Sequence, residues 1–206
     1  MCDTKTRHDF VVNQQSPGFF GLFTTRNRAG RSRAVTGLVG GILVFGIIWM
    51  QIGPSVTANY PPIHDISTDT GNAPVFVALV AAREAAPNKV EYRTDYTQQQ
   101  LEAYPELGTY ETQASGADVF SAAQEVVAAA GWELADAVLN DGRIEATAQT
   151  RIYAFKDDVV IRISPTMDGT TLVDVRSASR VGTGDLGVNA RRIQMFLGAL
   201  DQKLQQ

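Results

Sequence analysis

Cysteine is the rarest residue type in this chain, followed by histidine and tryptophan with two residues each. Among 206 residues there is one cysteine, Cys2, and there are two histidines, His8 and His64. A lone cysteine excludes an internal disulfide, so the folded part must depend on its apolar core. The two histidines lie on opposite sides of the apolar run described below. A single chain therefore does not offer a zinc triad or a pair of histidines for catalysis. A half-site at His64-Asp65 with Asp69 is too small, and we predict no metal, cofactor or catalytic set.

Lysine and arginine are absent between Arg33 and Arg83, and this gap holds a long apolar run. Residues 34–53 are twenty residues without a charge, five of them glycine, with Trp49 near one end. As a helix this run would extend about 30 Å, which is the thickness of the hydrocarbon core of a bilayer. Glycine and interfacial tryptophan are both common in spanning helices. The sequence therefore predicts a single transmembrane helix over residues 34–53.

Charge is distributed unequally on the two sides of this run. Residues 1–33 form a basic head with six basic and two acidic residues, whereas the remainder has 12 basic and 20 acidic residues. The positive-inside rule then places the head in the cytoplasm and the C-terminal part in the periplasm of a bacterium with an inner membrane. An acidic domain is unsuited to binding nucleic acid, which requires clustered lysine and arginine. We expect the bilayer as a partner, with an envelope protein as a second candidate.

Two alternatives remain for the apolar run. It could be the core of a secretory signal, with Val56-Thr57-Ala58 as the cleavage site, but such cores usually have about 7–15 residues. It could also be a buried helix of a globular domain, but it lacks the polar face of such a helix. The transmembrane interpretation is favoured over both.

The part after the run divides into a linker and a domain. Pro54, Pro61 and Pro62 predict an extended linker over residues 54–73. The domain is predicted over residues 74–206. Its helices are expected from Pro74 to about Glu84, after the N-cap Ser115 as far as Gly131, and from about Val188 onward.

Between the last two helices, residues alternate with a period of two and predict four strands. The expected strands and turns are Glu133 to Leu139, a turn at Asn140-Asp141-Gly142, Ile144 to Phe155, a turn at Lys156-Asp157-Asp158, Val159 to Ser164, a turn at Asp168-Gly169, and Thr171 to Ser179. The fold class is therefore α+β, with two layers: a four-stranded antiparallel meander and helices packed on one face. The other face is expected to show Glu145, Arg151, Arg162, Asp174 and Arg176.

The segment Gly182-Thr183-Gly184-Asp185-Leu186-Gly187 has the spacing of a dinucleotide-binding loop. That loop requires a following strand with an acidic residue about 20 residues on. Only 19 residues follow Gly187, and they are predicted to form one helix. We therefore interpret the glycines as a tight turn between a strand and a helix.

A cluster of polar residues before the last helix is the candidate binding site for an anion or polar ligand. Arginines, hydroxyls and free N–H groups at a helix N-terminus attract anions. The cluster consists of Arg176, Ser177, Ser179, Arg180, Asp185, Asn189 and Arg192. The alternative, which we favour, is that Asp185 caps the helix and pairs with a nearby arginine.

Several ordered motifs resemble a known family. They are Pro61-Pro62-Ile63-His64-Asp65-Ile66-Ser67-Thr68-Asp69, Gly131-Trp132, Arg143-Ile144-Glu145-Ala146-Thr147, Phe155-Lys156-Asp157-Asp158-Val159-Val160-Ile161-Arg162, residues 174–182, residues 185–190 and Arg192-Ile193. Over residues 61–200 the chain resembles the bacterial and plastid family called domain of unknown function 1499. The resemblance implies a membrane-linked domain without an assigned activity, so it supplies no catalytic residues. Bacterial members often have several spanning helices, whereas this chain has one.

These observations favour a non-enzymatic function. We expect a membrane-anchored binding or scaffolding domain outside the cytoplasm. The alternative is a cell-envelope enzyme or a small-ligand or lipid-binding protein that uses the cluster before the last helix. A pocket at that cluster would favour the alternative, and a flat apolar patch would favour a protein partner. A lipid carrier would require a long apolar groove between the sheet and the helices.

Overall fold

The computed structural model describes residues 28–57, 60–150 and 154–206, with the side chains of residues 35–48, 50, 60–150 and 154–206. It divides the chain into two compact units, Met1–Thr57 and Ala58–Gln206. The predicted head as far as residue 27, Ala58 of the alternative cleavage site, and Arg151 lie outside the described residues. The predicted boundaries at residues 53 and 73 stay a prediction.

The first unit contains one helix, α1, over Arg28–Thr57. Four consecutive side chains of α1, Ile42 to Phe45, are 58% to 65% exposed. Successive residues of a helix point in directions about 100° apart, so these four cover all sides of the helix. Within the residues that the structure describes, no helix is long and apolar enough to cross a bilayer. The predicted transmembrane span therefore stays a prediction.

The second unit is built on a six-stranded antiparallel sheet, which confirms the α+β class but not the number of strands. The strands are β1 (Asp65–Ser67), β2 (Tyr110–Thr112), β3 (Glu133–Val138), β4 (Arg143–Gln149), β5 (Lys156–Pro165) and β6 (Thr171–Ser179). The predicted meander is the main part, in the order β6-β5-β4-β3. The short strands β1 and β2 both pair with β6, β1 at residues 176–178 and β2 at residues 171–173. They cover the edge of β6 that the prediction left open.

Strand β1 corrects the predicted linker over residues 54–73. Asp65 pairs with Ala178 in the sheet, and Ile63 and Ile66 are completely buried. Residues 63–67 therefore belong to the folded domain, whose start the prediction had placed at residue 74. The prolines before them had suggested an extended segment, and a strand of three residues is too short to show a periodic pattern.

Two long helices cover one face of the sheet, α4 (Gly116–Ala129) and α5 (Val188–Leu204). Ser115 caps α4 by accepting a hydrogen bond from the N–H of Asp118, 3.2 Å away. Gly131 ends it with φ of +70°, donating to Ala128, while Trp132 donates to Val127. These two bonds are the Schellman motif expected from the sequence. The core between helices and sheet includes Val119, Ile161 and Phe196.

The second face of the sheet is also covered, which corrects the expectation that it is exposed. Segment 69–93 crosses it and contains a single short helix, α2 (Val80–Glu84), where a helix from Pro74 was predicted. Phe76 and Leu79 of this segment pack on Val160 and Ala178 of the sheet. A 3₁₀ turn, Thr94–Tyr96, and helix α3, Thr97–Ala103, continue the chain toward β2. As a result Glu145, Asp174 and Arg176 are buried.

The connections within the meander also differ in part from the prediction. The predicted turn at Lys156-Asp157-Asp158 is wrong, because these residues pair with β4 and β6 inside strand β5. Strand β4 ends at Gln149, and the chain turns before Phe155, where Ala154 has φ of +54°. The turn between β3 and β4 is a 3₁₀ turn, Leu139–Asp141, followed by Gly142. Adjacent acidic residues suggested a turn, but burial and pairing override that preference here.

Strand β3 forms one edge of the sheet. Its pairing with β4 shifts register between Leu134 and Asp136, which is a bulge or a similar irregularity. Glu133 is exposed, and Leu134 is 49% exposed. This edge is therefore irregular and carries charge.

Glycine is required at position 142 for two separate reasons, which predicts a large effect of substitution. Its φ is +59°, and a Cβ atom would lie 2.0 Å from the carbonyl oxygen of Ile163. We expect Gly142→Ala to lower the free energy of unfolding by about 3 kcal/mol, combining left-handed strain with overpacking. Urea denaturation of the full chain in mild detergent, followed by circular dichroism, measures this change.

Gly131→Ala is the matched control. Gly131 has φ of +70°, but a Cβ atom there would meet nothing within 4 Å. Gly131→Ala should therefore lower the free energy of unfolding only by the left-handed strain, about 1 kcal/mol. Equal losses for the two variants would contradict the proposed contact with Ile163.

Candidate functional site

The predicted binding cluster is divided between the two faces of the sheet. Side chains alternate along β6, so Ser177 and Ser179 lie on the face covered by α5. Arg176 lies on the opposite face with Arg180, which follows the strand directly. The structure therefore does not bring the seven residues into one site.

On the helix side, Asn189 joins the two serines. Its side chain accepts from Ser177 Oγ at 2.7 Å, and it donates to Ser179 Oγ at 3.0 Å. Arg192 donates to Ser177 Oγ at 2.9 Å, contacts Asn189, and forms an ion pair with Asp157 at 2.6 Å. Asn189 is completely buried. These residues form a satisfied internal network that attaches α5 to the sheet.

On the covered face, Arg176 is held by carboxylate and carbonyl oxygens. Its Nε and Nη2 donate to the two oxygens of Asp65 at 2.9 and 2.8 Å. It also donates to the carbonyls of Pro74 and Val90, at 3.3 and 2.8 Å. The two side chains of this pair are 1% and 2% exposed. Such a bidentate pair, with its other donors satisfied, compensates for the removal of both charges from water.

Asp158 lies between two arginines on the same face. Arg180 donates to both of its oxygens, at 2.8 and 2.9 Å. Arg83, from α2, donates to Asp158 at 3.0 Å, and both of these side chains are completely buried. Burial lowers the pKa of the Arg83 guanidinium, and the charge of Asp158 opposes that effect. The sequence interpretation of Asp157 and Asp158 as turn and surface carboxylates is therefore wrong.

A ring and a carboxylate complete the attachment of segment 69–93 to the sheet. The guanidinium carbons of Arg83 and Arg176 lie 4.8 and 4.9 Å from the centroid of the Phe76 ring. Glu145 accepts from three consecutive backbone N–H groups, those of residues 77–79, at 2.8 to 3.0 Å. The segment is thus fixed by charges that originate in the sheet and α2.

Asp185 caps α5, as the favoured interpretation expected. Its oxygens accept from the N–H groups of Gly187 and Asn189, at 2.9 and 2.8 Å. Burial raises the pKa of this carboxyl group, while the two backbone bonds oppose the increase. The expected pairing of Asp185 with an arginine is absent among the described residues. Gly182 and Gly187 have φ of +96° and +74°, in agreement with a tight turn.

An open groove lies between α4 and α5, with a volume of about 690 Å³. Its wall is largely apolar, and the rings of Trp132 and Phe196 stack there with centroids 5.8 Å apart. Arg192 is the member of the predicted cluster that lines it. We call this feature the α4–α5 groove; its lining also includes Glu125, Val126, Ala129, Ala130, Val188, Arg191, Met195, Ala199, Gln202, Lys203 and Gln206.

His64 and Tyr104 are two further buried titratable groups of the domain. Among the described residues, no three side chains of His, Cys, Asp or Glu are arranged to hold a metal ion. His64 is 5% exposed, its Nδ1 has no hydrogen-bond partner, and its ring meets Tyr96 edge-on at 5.3 Å. Burial lowers the pKa of His64, although Asp65 opposes this effect. Burial also raises the pKa of Tyr104 to about 12.

A comparison with protein families now identifies the domain. The family described as "Protein of unknown function (DUF1499)" matches residues 65–200. The chain belongs to the DUF1499 family. No curated protein matches it. The resemblance stated from the sequence is therefore confirmed, and the anion-binding function of the predicted cluster stays a prediction.

Several important residues of this DUF1499 domain were missed or misplaced by sequence reasoning. Asp65, Arg83, Glu145 and Asp158 had been placed in a linker, a surface helix, an exposed face and a turn. The sequence contained one signal for the buried ion pairs: residues of opposite charge fall on the same face of neighbouring strands. The groove had a signal too. On α5, positions 188, 192, 195, 199 and 203 recur at helical spacing beside the main apolar stripe.

The Arg176–Asp65 pair provides a test of the covered face. Asp65→Asn leaves a buried guanidinium without its counter-charge, which should lower the free energy of unfolding by about 3–5 kcal/mol. Urea denaturation of the full chain measures the loss. The control is Asp95→Asn, which removes the exposed partner of Arg93 and should leave the unfolding midpoint unchanged. A small effect of Asp65→Asn would show that the pair is not required.

His64 predicts a dependence of stability on pH. Its folded pKa is below the ordinary value of 6.5, so the unfolded chain binds more protons just below pH 6.5. Stability should therefore decrease as the pH falls from 7.5 through 6.5 to 5.5. His64→Phe keeps a ring against Tyr96 and should remove this part of the decrease. Urea midpoints at the three pH values compare the proteins, and identical slopes would contradict the assignment.

Proposed function

We propose that this DUF1499 protein is a membrane-anchored binding domain outside the cytoplasm, with the α4–α5 groove as its binding surface. Two features support the two parts of this function. The apolar run of α1 supports the anchor, and the open groove supports binding. Together they describe a domain that is held near a bilayer and presents an apolar surface.

The anchor is supported by the exposure of α1 on all sides. Large apolar side chains from Val35 to Ile48 are 43% to 65% exposed, and no polar face separates them. A helix that is apolar all round requires an apolar environment, which a bilayer supplies. Arg26, Arg28, Arg31 and Arg33 precede the run, and no basic residue follows until Arg83. This asymmetry supports an N-terminus in the cytoplasm and a domain across the membrane.

Binding is favoured over catalysis because the charged groups of the domain are already in use. Arg176, Arg180 and Arg192 each have a carboxylate partner within the domain. Catalytic groups must reach a substrate, whereas these donate to their own fold. One observation carries the binding function: the α4–α5 groove is open and apolar, with a size typical of ligand sites. The alternative of an enzyme at the Arg/Ser/Asn cluster has less support.

Membrane fractionation tests the anchor. The full chain should stay in the membrane pellet after an alkaline carbonate wash, whereas a chain lacking residues 34–53 should appear in the supernatant. Removing residues 1–25 is the matched control, because it shortens the head but leaves the run and its four arginines. Release of the full chain by carbonate would overturn the anchor.

A reporter enzyme fused after Gln206 tests the orientation. A reporter that works only outside the cytoplasm should be active in this fusion. Replacing Arg26, Arg28, Arg31 and Arg33 by glutamate should reduce that activity severalfold, because the charge difference that sets the orientation is reversed. Full activity of a reporter that works only in the cytosol would contradict the proposed topology.

A further inference from the structure

We infer that the α4–α5 groove binds a long-chain fatty carboxylate from the adjacent membrane. This inference rests on the proposed function, since the anchor keeps the groove close to a supply of acyl chains. It adds the chemical class of the ligand and the residue that would recognise its head group. Three properties of the groove support it: its wall, its length and the placement of its charges.

The wall is suited to hydrocarbon. Trp132 and Phe196 stack with their ring planes 25° apart, and Val126 and Ala129 of α4 and Ala199 of α5 also line the groove. Met195, which also lines the groove, is 69% exposed. A flexible thioether at this position adapts to chains of different shape.

The length is suited to one acyl chain. The lining runs along α5 from Val188 to Lys203, a distance of about 22 Å at the helical rise per residue. One leaflet of a bilayer has a hydrocarbon depth of about 15 Å, which is the extent of the acyl chain of a membrane lipid. The groove therefore accommodates such a chain and leaves several ångströms for a head group.

The charges distinguish the two ends of the groove. At the Lys203 end, the positive charge is matched by Glu125 across the groove at 2.5 Å. At the Val188 end, Arg192 is matched by Asp157, but Arg191 has no carboxylate within ion-pair distance among the described residues. Arg191 is exposed, and it donates to the hydroxyl of Tyr60 at 3.3 Å. Its guanidinium is the unmatched cation of the groove, and a carboxylate fits its planar donors.

An apolar wall with one unmatched cation at its end complements an amphiphile with one anionic group. A neutral alcohol of the same length would contact the apolar wall but leave Arg191 without a counter-charge. A second copy of the chain is less suited, because the carboxylate that lines its own groove, Glu125, is already paired with Lys203 and leaves Arg191 unmatched. The fatty carboxylate is therefore the occupant that uses every feature of the site.

Photolabelling of the full chain in phosphatidylcholine vesicles tests this inference. The probes are a diazirine analogue of palmitate and the analogue of hexadecanol, and mass spectrometry maps the labelled peptides. We expect palmitate to label residues 188–203 of α5 and to be displaced by unlabelled palmitate. Arg191→Gln should reduce palmitate labelling there about tenfold, as expected for the loss of a charge-assisted bond, and leave hexadecanol labelling unchanged.

A second pair of variants tests the wall. Met195→Glu should reduce labelling by both probes more than tenfold, because it places a charge on the apolar surface. Met167→Glu is the matched control, since Met167 is fully exposed outside the groove. Both probes should label this variant to the same extent as the unchanged chain. Circular dichroism verifies that both variants are folded. Labelling confined to α1, or equal labelling by all variants, would overturn the inference.

Other occupants give different results. If Met195→Glu converts a dimer into a monomer and palmitate does not label α5, the groove binds a second copy and the inference is wrong. If the chain stays in the carbonate-washed membrane but α5 is not labelled, the ligand is wrong and the anchor stands. If α5 is labelled in a chain that carbonate releases, the anchor is wrong and the ligand class stands.

Discussion

The pairing of buried charges on the covered face of the sheet is the constraint on which the rest of the domain depends. Arg83, Arg176 and Asp158 lose their water when segment 69–93 crosses the strands, and each is stable there only with its partners in place. The ring of Phe76 is in cation–π contact with two of these guanidinium groups. The position of the covering segment is therefore determined by electrostatic geometry more than by helix formation.

The same constraint separates structural charges from those available to a ligand. Ion pairs such as Arg176–Asp65 and Arg192–Asp157 are part of the fold, and recruiting them for binding would leave a partner buried without compensation. Arg191 lies outside these pairs, on the exposed side of α5. This difference directs the search for function from the strand-to-helix turn to the surface between the two long helices.

Local signals in the sequence predicted much of the fold. Ser115 and Gly131 gave the ends of α4 because capping depends on neighbouring residues, and the period of two placed β6 correctly. Strand β1 was missed because three residues carry no period. The covered face was missed because the partner of each charge, such as Asp65 for Arg176, is distant in sequence. The groove depends on how α4 and α5 pack together, which no single segment encodes.

The irregular edge strand has a consequence for the proposed tether, which would crowd copies of the domain in two dimensions. Tethered domains meet one another often, and a straight open edge would allow neighbouring sheets to join by backbone hydrogen bonds. The register shift between Leu134 and Asp136 disrupts the ladder that an incoming strand would need, and the exposed Glu133 adds a charge to this edge. At the opposite side, β1 and β2 occupy the hydrogen-bonding groups of β6. On the proposed tether, both edges would thus hinder the joining of neighbouring sheets.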